Sequence, residues 1–123
     1  MLDSVQLDAQ AERSSGSVTA TLTDEAGAAV TLAAMTSLTL TLFESSTRTI
    51  LNSRKAQNVL NANNVTMHAT SGLVTWAVQP DDMAIVTGRD EIHFAYFTAK
   101  WSGGAKEHTW RVLIPVVNLD FVS

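Results

Sequence analysis

The chain of 123 residues contains no cysteine. Disulfides, thiolate metal centres and cysteine nucleophiles are excluded at once, which fits a protein made in a reducing cytoplasm. Charge is scarce, at 16% Asp, Glu, Lys and Arg. Eight basic side chains face twelve acidic ones, for a formal net charge of -4. A polyanion is therefore repelled on average, and nucleic acid is not an expected partner. Long apolar runs are missing too: none approaches the roughly 20 residues of a membrane-spanning helix. The opening Met1-Leu2-Asp3-Ser4-Val5-Gln6-Leu7-Asp8 has no basic stretch ahead of an apolar core, so it does not read as a secretory leader. The expectation is a soluble, unprocessed protein with no membrane contact.

Hydrophobic residues, at 46%, are present in force. With so little charge, that composition excludes a disordered tail. The length suits one domain with its own core. The dominant pattern is alternation. Val18, Ala20 and Leu22 alternate with Ser17, Thr19, Thr21 and Thr23, and Leu38, Leu40 and Leu42 alternate with Thr39 and Thr41. A period of two marks strands with one buried and one wet face, and threonine suits the wet one.

Turn residues punctuate these runs. Asp24-Glu25-Ala26-Gly27 reads as a type I turn. Ser45-Ser46-Thr47 separates the strand ending at Phe43 from a short strand expected over Arg48 to Asn52. Ser71-Gly72 predicts a tight hairpin between Val65–Thr70 and Leu73–Val78. Ser102-Gly103-Gly104-Ala105 predicts a second hairpin, between Glu91–Trp101 and Glu107–Val116. Lys55 to Ala62 has helix formers and reads as one or two turns of helix or as a loop, with Asn58, Asn61, Asn63 and Asn64 pointing to an irregular end. Pro80-Asp81-Asp82-Met83-Ala84 suits a single helical turn crossing between two sheets. Leu2 to Gly16 is more polar and reads as an N-terminal arm with a short strand at Val5 to Leu7. Seven to nine short strands at this spacing predict an antiparallel β-sandwich over residues 17–123, preceded by an arm over residues 1–16.

The second hairpin is the most informative segment. A tip at Gly103-Gly104 sets Phe97 opposite Trp110, Ala95 opposite Val112 and His93 opposite Ile114 on one face. On the other face Phe94 opposes Leu113, Tyr96 opposes Arg111 and Thr98 opposes Thr109. Both faces are substantially apolar, whereas a sandwich strand buries only one in its own core. Either the N-terminal arm or another subunit must cover the second face. Tyr96 opposite Arg111 is a candidate cation–π pair. Arg and Tyr are enriched at protein interfaces. Phe94, Tyr96, Arg111, Leu113 and Trp101 are accordingly the candidate protein-interface residues.

Other constellations are weaker. His68, His93 and His108 lie on three strands without ligand spacing, so surface or packing roles are expected and no metal site. Asp81-Asp82 reads as helix-start acids, and with Asp90-Glu91 lacks the alternating acids and glycine of a calcium loop. No Gly-x-Ser-x-Gly elbow occurs, and Gly103-Gly104 opens no phosphate loop. No catalytic or cofactor-binding residue can be named, and a non-enzyme is expected. A sugar-stacking platform could draw on Trp76, Tyr96, Trp101 and Trp110. Alternation assigns Trp76 and Trp110 to the core, which leaves Tyr96 and Trp101 as the exposed candidates.

Several blocks taken together look familiar: Thr19-Ala20-Thr21-Leu22-Thr23-Asp24-Glu25-Ala26-Gly27-Ala28-Ala29-Val30, Leu38-Thr39-Leu40-Thr41-Leu42-Phe43, Asn61-Ala62-Asn63-Asn64-Val65-Thr66, Gly72-Leu73-Val74-Thr75-Trp76 and His93-Phe94-Ala95-Tyr96-Phe97. This succession resembles the small immunoglobulin-like β-sandwich structural proteins of tailed bacteriophages. It is more loosely similar to the N-terminal domain of phage baseplate upper proteins. The resemblance implies an immunoglobulin-like fold and a virion structural protein made in the bacterial cytoplasm. Such a protein packs in multiple copies at the neck, tail or fibre-attachment region, against connector, tail, fibre or capsid subunits and its own copies. Capsid decoration on the head surface is an alternative, and a carbohydrate-binding module for host adsorption is another.

Overall fold

The computed structural model describes residues 2–6, 10–11, 16–23, 27–102 and 107–118. Nine strands are found among them: β1 (Leu2–Gln6), β2 (Gln10–Ala11), β3 (Gly16–Thr21), β4 (Met35–Glu44), β5 (Gln57–Asn58), β6 (Val65–Met67), β7 (Leu73–Val78), β8 (Glu91–Trp101) and β9 (Glu107–Val117). They form a larger sheet in the order β1-β9-β8-β4-β5, with β2 also on β9, and a smaller sheet in the order β3-β7-β6. Pairing is antiparallel except where β1 and β2 join β9. The architecture is all-β and mostly antiparallel, with two 3-10 turns as the only described helical residues.

The alternation read in the sequence is what closes the core. Leu38, Leu40 and Leu42 of β4 are fully buried, as are Ala95 and Ala99 of β8 and Val112 and Ile114 of β9. Val18, Val65, Val74, Trp76 and Val78 of the smaller sheet join the same core cluster. Trp76 packs edge-on against Phe97 at 5.5 Å, and Phe97 stacks on Trp110 at 5.0 Å. Each of these rings buries a large apolar area, and their stacked and edge-on contacts add to the stabilisation of the core.

The β8–β9 register matches the expected one pair for pair, from His93 opposite Ile114 to Thr98 opposite Thr109. The tip, 103–106, lies outside the described residues, as do Asp24, Glu25 and Ala26 of the first expected turn. Gly27 takes the expected positive φ, +83°. Pro80–Met83 forms one 3-10 turn leading from β7 in the smaller sheet to β8 in the larger.

Two expectations are corrected, and a third segment, open between helix and loop, is decided. No strand forms over Arg48 to Asn52; Ile50 makes only an isolated bridge to Phe43. Positive φ at Arg48, Asn52 and Ser53 coils the segment so that Arg54 turns inward. The Ser71-Gly72 hairpin is wider than expected, because β6 ends at Met67. There His68 Nδ1 accepts from the amides of Thr70 and Ser71 and closes a local turn. Lys55 to Ala62 contains no helix; it supplies β5 and a loop with positive φ at Ala56 and Asn61, continuing through Asn63 and Asn64.

The N-terminal segment takes a position the sequence left open. Leu2–Gln6 pairs with Thr109–Leu113 of β9, so Val5 registers with Val112 and the segment extends the sheet at its edge. Of the expected Val5 to Leu7 strand, Leu7 lies outside the described residues.

Candidate protein interface

The face of the larger sheet that points away from the core is built by β4, β8 and β9. Inward positions on β8 are odd-numbered, so Ile92, Phe94, Tyr96 and Thr98 fall outside. Cross-strand pairing then aligns Phe43 with Phe94, Phe94 with Leu113, and Tyr96 with Arg111. The three rings form one cluster. Phe43 lies edge-on to Phe94 and stacked on Tyr96, both at 5.6 Å between centroids, and Phe94 and Tyr96 are 6.3 Å apart.

Arg111 lies over this cluster. Its guanidinium carbon is 5.2 Å from the Phe94 centroid and 6.0 Å from that of Tyr96. The negative faces of both rings attract the delocalised cation, and planar stacking suits guanidinium better than ammonium. Phe43, Phe94, Tyr96, Arg111 and Leu113 are all half-buried, screened by one another. The expected cation–π pair thus has Phe94, rather than Tyr96, as its closer ring.

Of the five residues singled out from sequence, four share this face. Trp101 does not; it packs against the margin of the core, opposite Met35. Phe43 was missed. The signal for it lay in β4, whose outward positions run Thr39, Thr41, Phe43 and so end on an aromatic ring. Its partner on β8 is set by a contact between strands separated by some fifty residues, which no local pattern encodes.

The face continues toward one end of the sheet. Ile92 is 43% exposed and opposes Pro115, and Val117 is 38% exposed. Beside them opens a cleft of about 510 Å³, lined by Glu44, Ser45, Arg89, Glu91, Pro115 and Val117 among others. Its carboxylates are occupied. Glu44 Oε1 accepts from the amides of Ser46 and Thr47 at 3.0 and 2.8 Å and from their hydroxyls at 2.6 and 3.1 Å. Burial opposes ionisation of Glu44, but these four donors outweigh it and hold the carboxyl at about 2 instead of 4.5. Glu91 is lowered by the same balance: burial raises it, and His93 with the Thr87 and Val86 donors brings it down further.

Behind the cleft is a buried polar network. His93, fully buried, has Nδ1 3.0 Å from the Asp82 carbonyl and Nε2 2.7 Å from Glu91 Oε1. Glu91 Oε2 accepts from the amides of Val86 and Thr87. Asp82 accepts from Arg54 and Asn52 and caps its own 3-10 turn through the Gln79 amide. Arg54 also reaches Gln57, the Asn63 carbonyl and Asn64. The network ties the loop after β4 to the Pro80–Met83 turn, and ties that turn and the loop before β8 to His93 and Glu91 of β8. Asp81 and Asp90 of the acidic pairs are exposed, and Asp90 accepts from the Asn118 amide. The histidines separate accordingly: His93 packs inside, His68 is exposed, and His108 stacks on Trp110 at 5.8 Å.

Among the described residues no group of three or more His, Asp or Glu side chains is placed to hold a metal ion. No described helix is long and apolar enough to cross a membrane. No protein-family model, curated protein or solved structure matches the chain.

Proposed function

We propose that this protein is a non-enzymatic structural subunit of a tailed-bacteriophage particle. It packs in multiple copies at the neck, tail or fibre-attachment region and docks through the outer face of β4, β8 and β9. The observation that carries the docking reading is the Phe43–Phe94–Tyr96 cluster with Arg111 laid over it. Aromatic residues and arginine are enriched among the side chains that anchor protein interfaces, the rings adding contact area with few rotatable bonds and the guanidinium adding a planar, stackable cation. Leu113, Ile92 and Pro115 extend the same face with apolar side chains. The described part of the N-terminal segment lies along the β9 edge, and a second subunit as the cover of this face is part of the proposal. The particle context rests on the resemblance of the sequence blocks.

An immunoglobulin-like strand plan is part of the proposal. Taking β3, β4, β6, β7, β8 and β9 as strands B, C, D, E, F and G puts B, E and D in one sheet and C, F and G in the other, as that fold requires. Virion localisation, connector, tail or fibre subunits as partners, and homo-oligomeric packing belong to the same reading. A sugar platform is less well supported, since Trp76 and Trp110 are only 1% and 4% exposed, Trp101 packs against the core margin and Tyr96 stacks on Phe43.

The test is incorporation. Phe94→Ala combined with Tyr96→Ala leaves the core intact, so the variant should fold yet be missing from purified particles by quantitative mass spectrometry. Incorporation at the wild-type level would sink the proposal. Counting chains per particle separates the alternatives: a head decoration protein scales with the major capsid protein, and a neck or tail protein is scarce.

A further inference from the structure

Of the sheet edges, two are closed by loops. On the far side of β4, Val59 donates to the Leu38 carbonyl and Leu42 to that of Arg54. On the far side of β6, Val65 donates to Ala62 and Met67 to the Asn61 side chain. The edge of β3 differs. The Leu22 amide donates to Gly72, which fixes the phase of the β3–β7 ladder. The opposite side of β7 agrees, since Ala77 bonds Asn64 and Leu73 bonds His68. Alternate residues of a strand bond the same neighbour. Gly16, Val18 and Ala20 therefore pair with β7, and Ser17, Thr19 and Thr21 aim their amides and carbonyls outward. Among the described residues nothing pairs with them there.

Gly16–Thr21 contains no charge and no proline, and charges, prolines and bulges are what keep edge strands apart. We propose that β3 pairs antiparallel with β3 of a second copy of this chain, joining two smaller sheets into one across a two-fold axis at Thr19. The sequence of β3 suits that partner. On the dyad Thr19 meets Thr19, and Ser17 meets Thr21, so hydroxyl residues oppose hydroxyl residues and no charge meets itself. The three outward residues of each copy exchange about six backbone hydrogen bonds. On the inner side Val18 faces Ala20, which continues the core across the junction. The pairing uses the sheet opposite the aromatic face and is independent of the role proposed for that face.

The experiment is light scattering of the full chain after size exclusion, over a range of concentrations, for wild type and Thr19→Pro. Because the Thr19 amide points outward, proline there removes no internal hydrogen bond. The wild type should dimerise, and Thr19→Pro should weaken dimerisation by about tenfold or more with its circular dichroism unchanged. Should Thr19→Pro not fold, Thr19→Lys and Thr19→Glu serve instead: each alone should be monomeric, and mixing them should restore the dimer. A monomer at every concentration overturns the proposal. So does a dimer indifferent to position 19, or one abolished by Tyr96→Ala, which would run through the aromatic face.

Discussion

Arg54 Nε and Asp82 Oδ1 lie 2.6 Å apart with both side chains shielded from solvent. A second bond, from Nη2 to Oδ2, makes the contact two-pronged at 3.2 Å. Planar guanidinium and carboxylate suit this geometry, and the remaining Arg54 donors find Gln57, Asn63 and Asn64. The pair joins the loop after β4 to the turn between the two sheets. Removing one member leaves a buried charge alone. Asp82→Ala should lower unfolding free energy by about 3–5 kcal/mol, measured by chemical denaturation. A double change of Arg54→Met and Asp82→Ala should cost less than Asp82→Ala alone, since no charge is then stranded.

Glu44 sets an acid limit on stability. Its carboxyl is held at about 2 in the folded state against an ordinary value of 4.5. A group depressed on folding stabilises fully above its unfolded value and loses that contribution as pH falls through the folded one. Stability should fall between about pH 4.5 and 2, with Glu91, also lowered, adding to the loss. Glu44→Gln should cost about 1–3 kcal/mol at pH 7 and flatten this acid limb in urea melts across pH. An unchanged limb would contradict the assignment.

Glu91 tethers the loop before β8. Its two oxygens serve different groups: Oε1 meets His93, and Oε2 takes the Val86 and Thr87 amides. Glu91→Ala should strip protection from those two amides in hydrogen exchange. It should also destabilise the fold by about 1–3 kcal/mol, because His93 Nε2 is left buried without a partner.

Among the described glycines, Gly72 is the one at which the space for a Cβ is taken. It sits at φ +75°, and an added Cβ would strike the Leu22 carbonyl oxygen. The Leu22 amide bonds the Gly72 carbonyl, so neither backbone can retreat without losing that contact. Gly72→Ala should destabilise by about 1–3 kcal/mol in thermal or urea melts. Gly27→Ala has open space around it and should cost less.

The sequence alone determined the strands that alternate strictly and the hairpin that joins neighbours. A period of two and a glycine tip decide which side chains share a face, so the pairing of Phe94 with Leu113 and Tyr96 with Arg111 followed from counting residues outward from Gly103-Gly104. Only the tertiary structure decided what sits beside what over long separations. Phe43 joins Phe94 because β4 lies next to β8, and Asp82, read locally as a helix-start acid, is buried because Arg54 coils inward to meet it. Both depend on chain segments far apart in sequence finding one another, and the energies that select such contacts leave no periodic trace in the chain. The edge of β3 is of the same kind: its residues look like any wet strand until the sheet order leaves one side of them unpaired among the described residues.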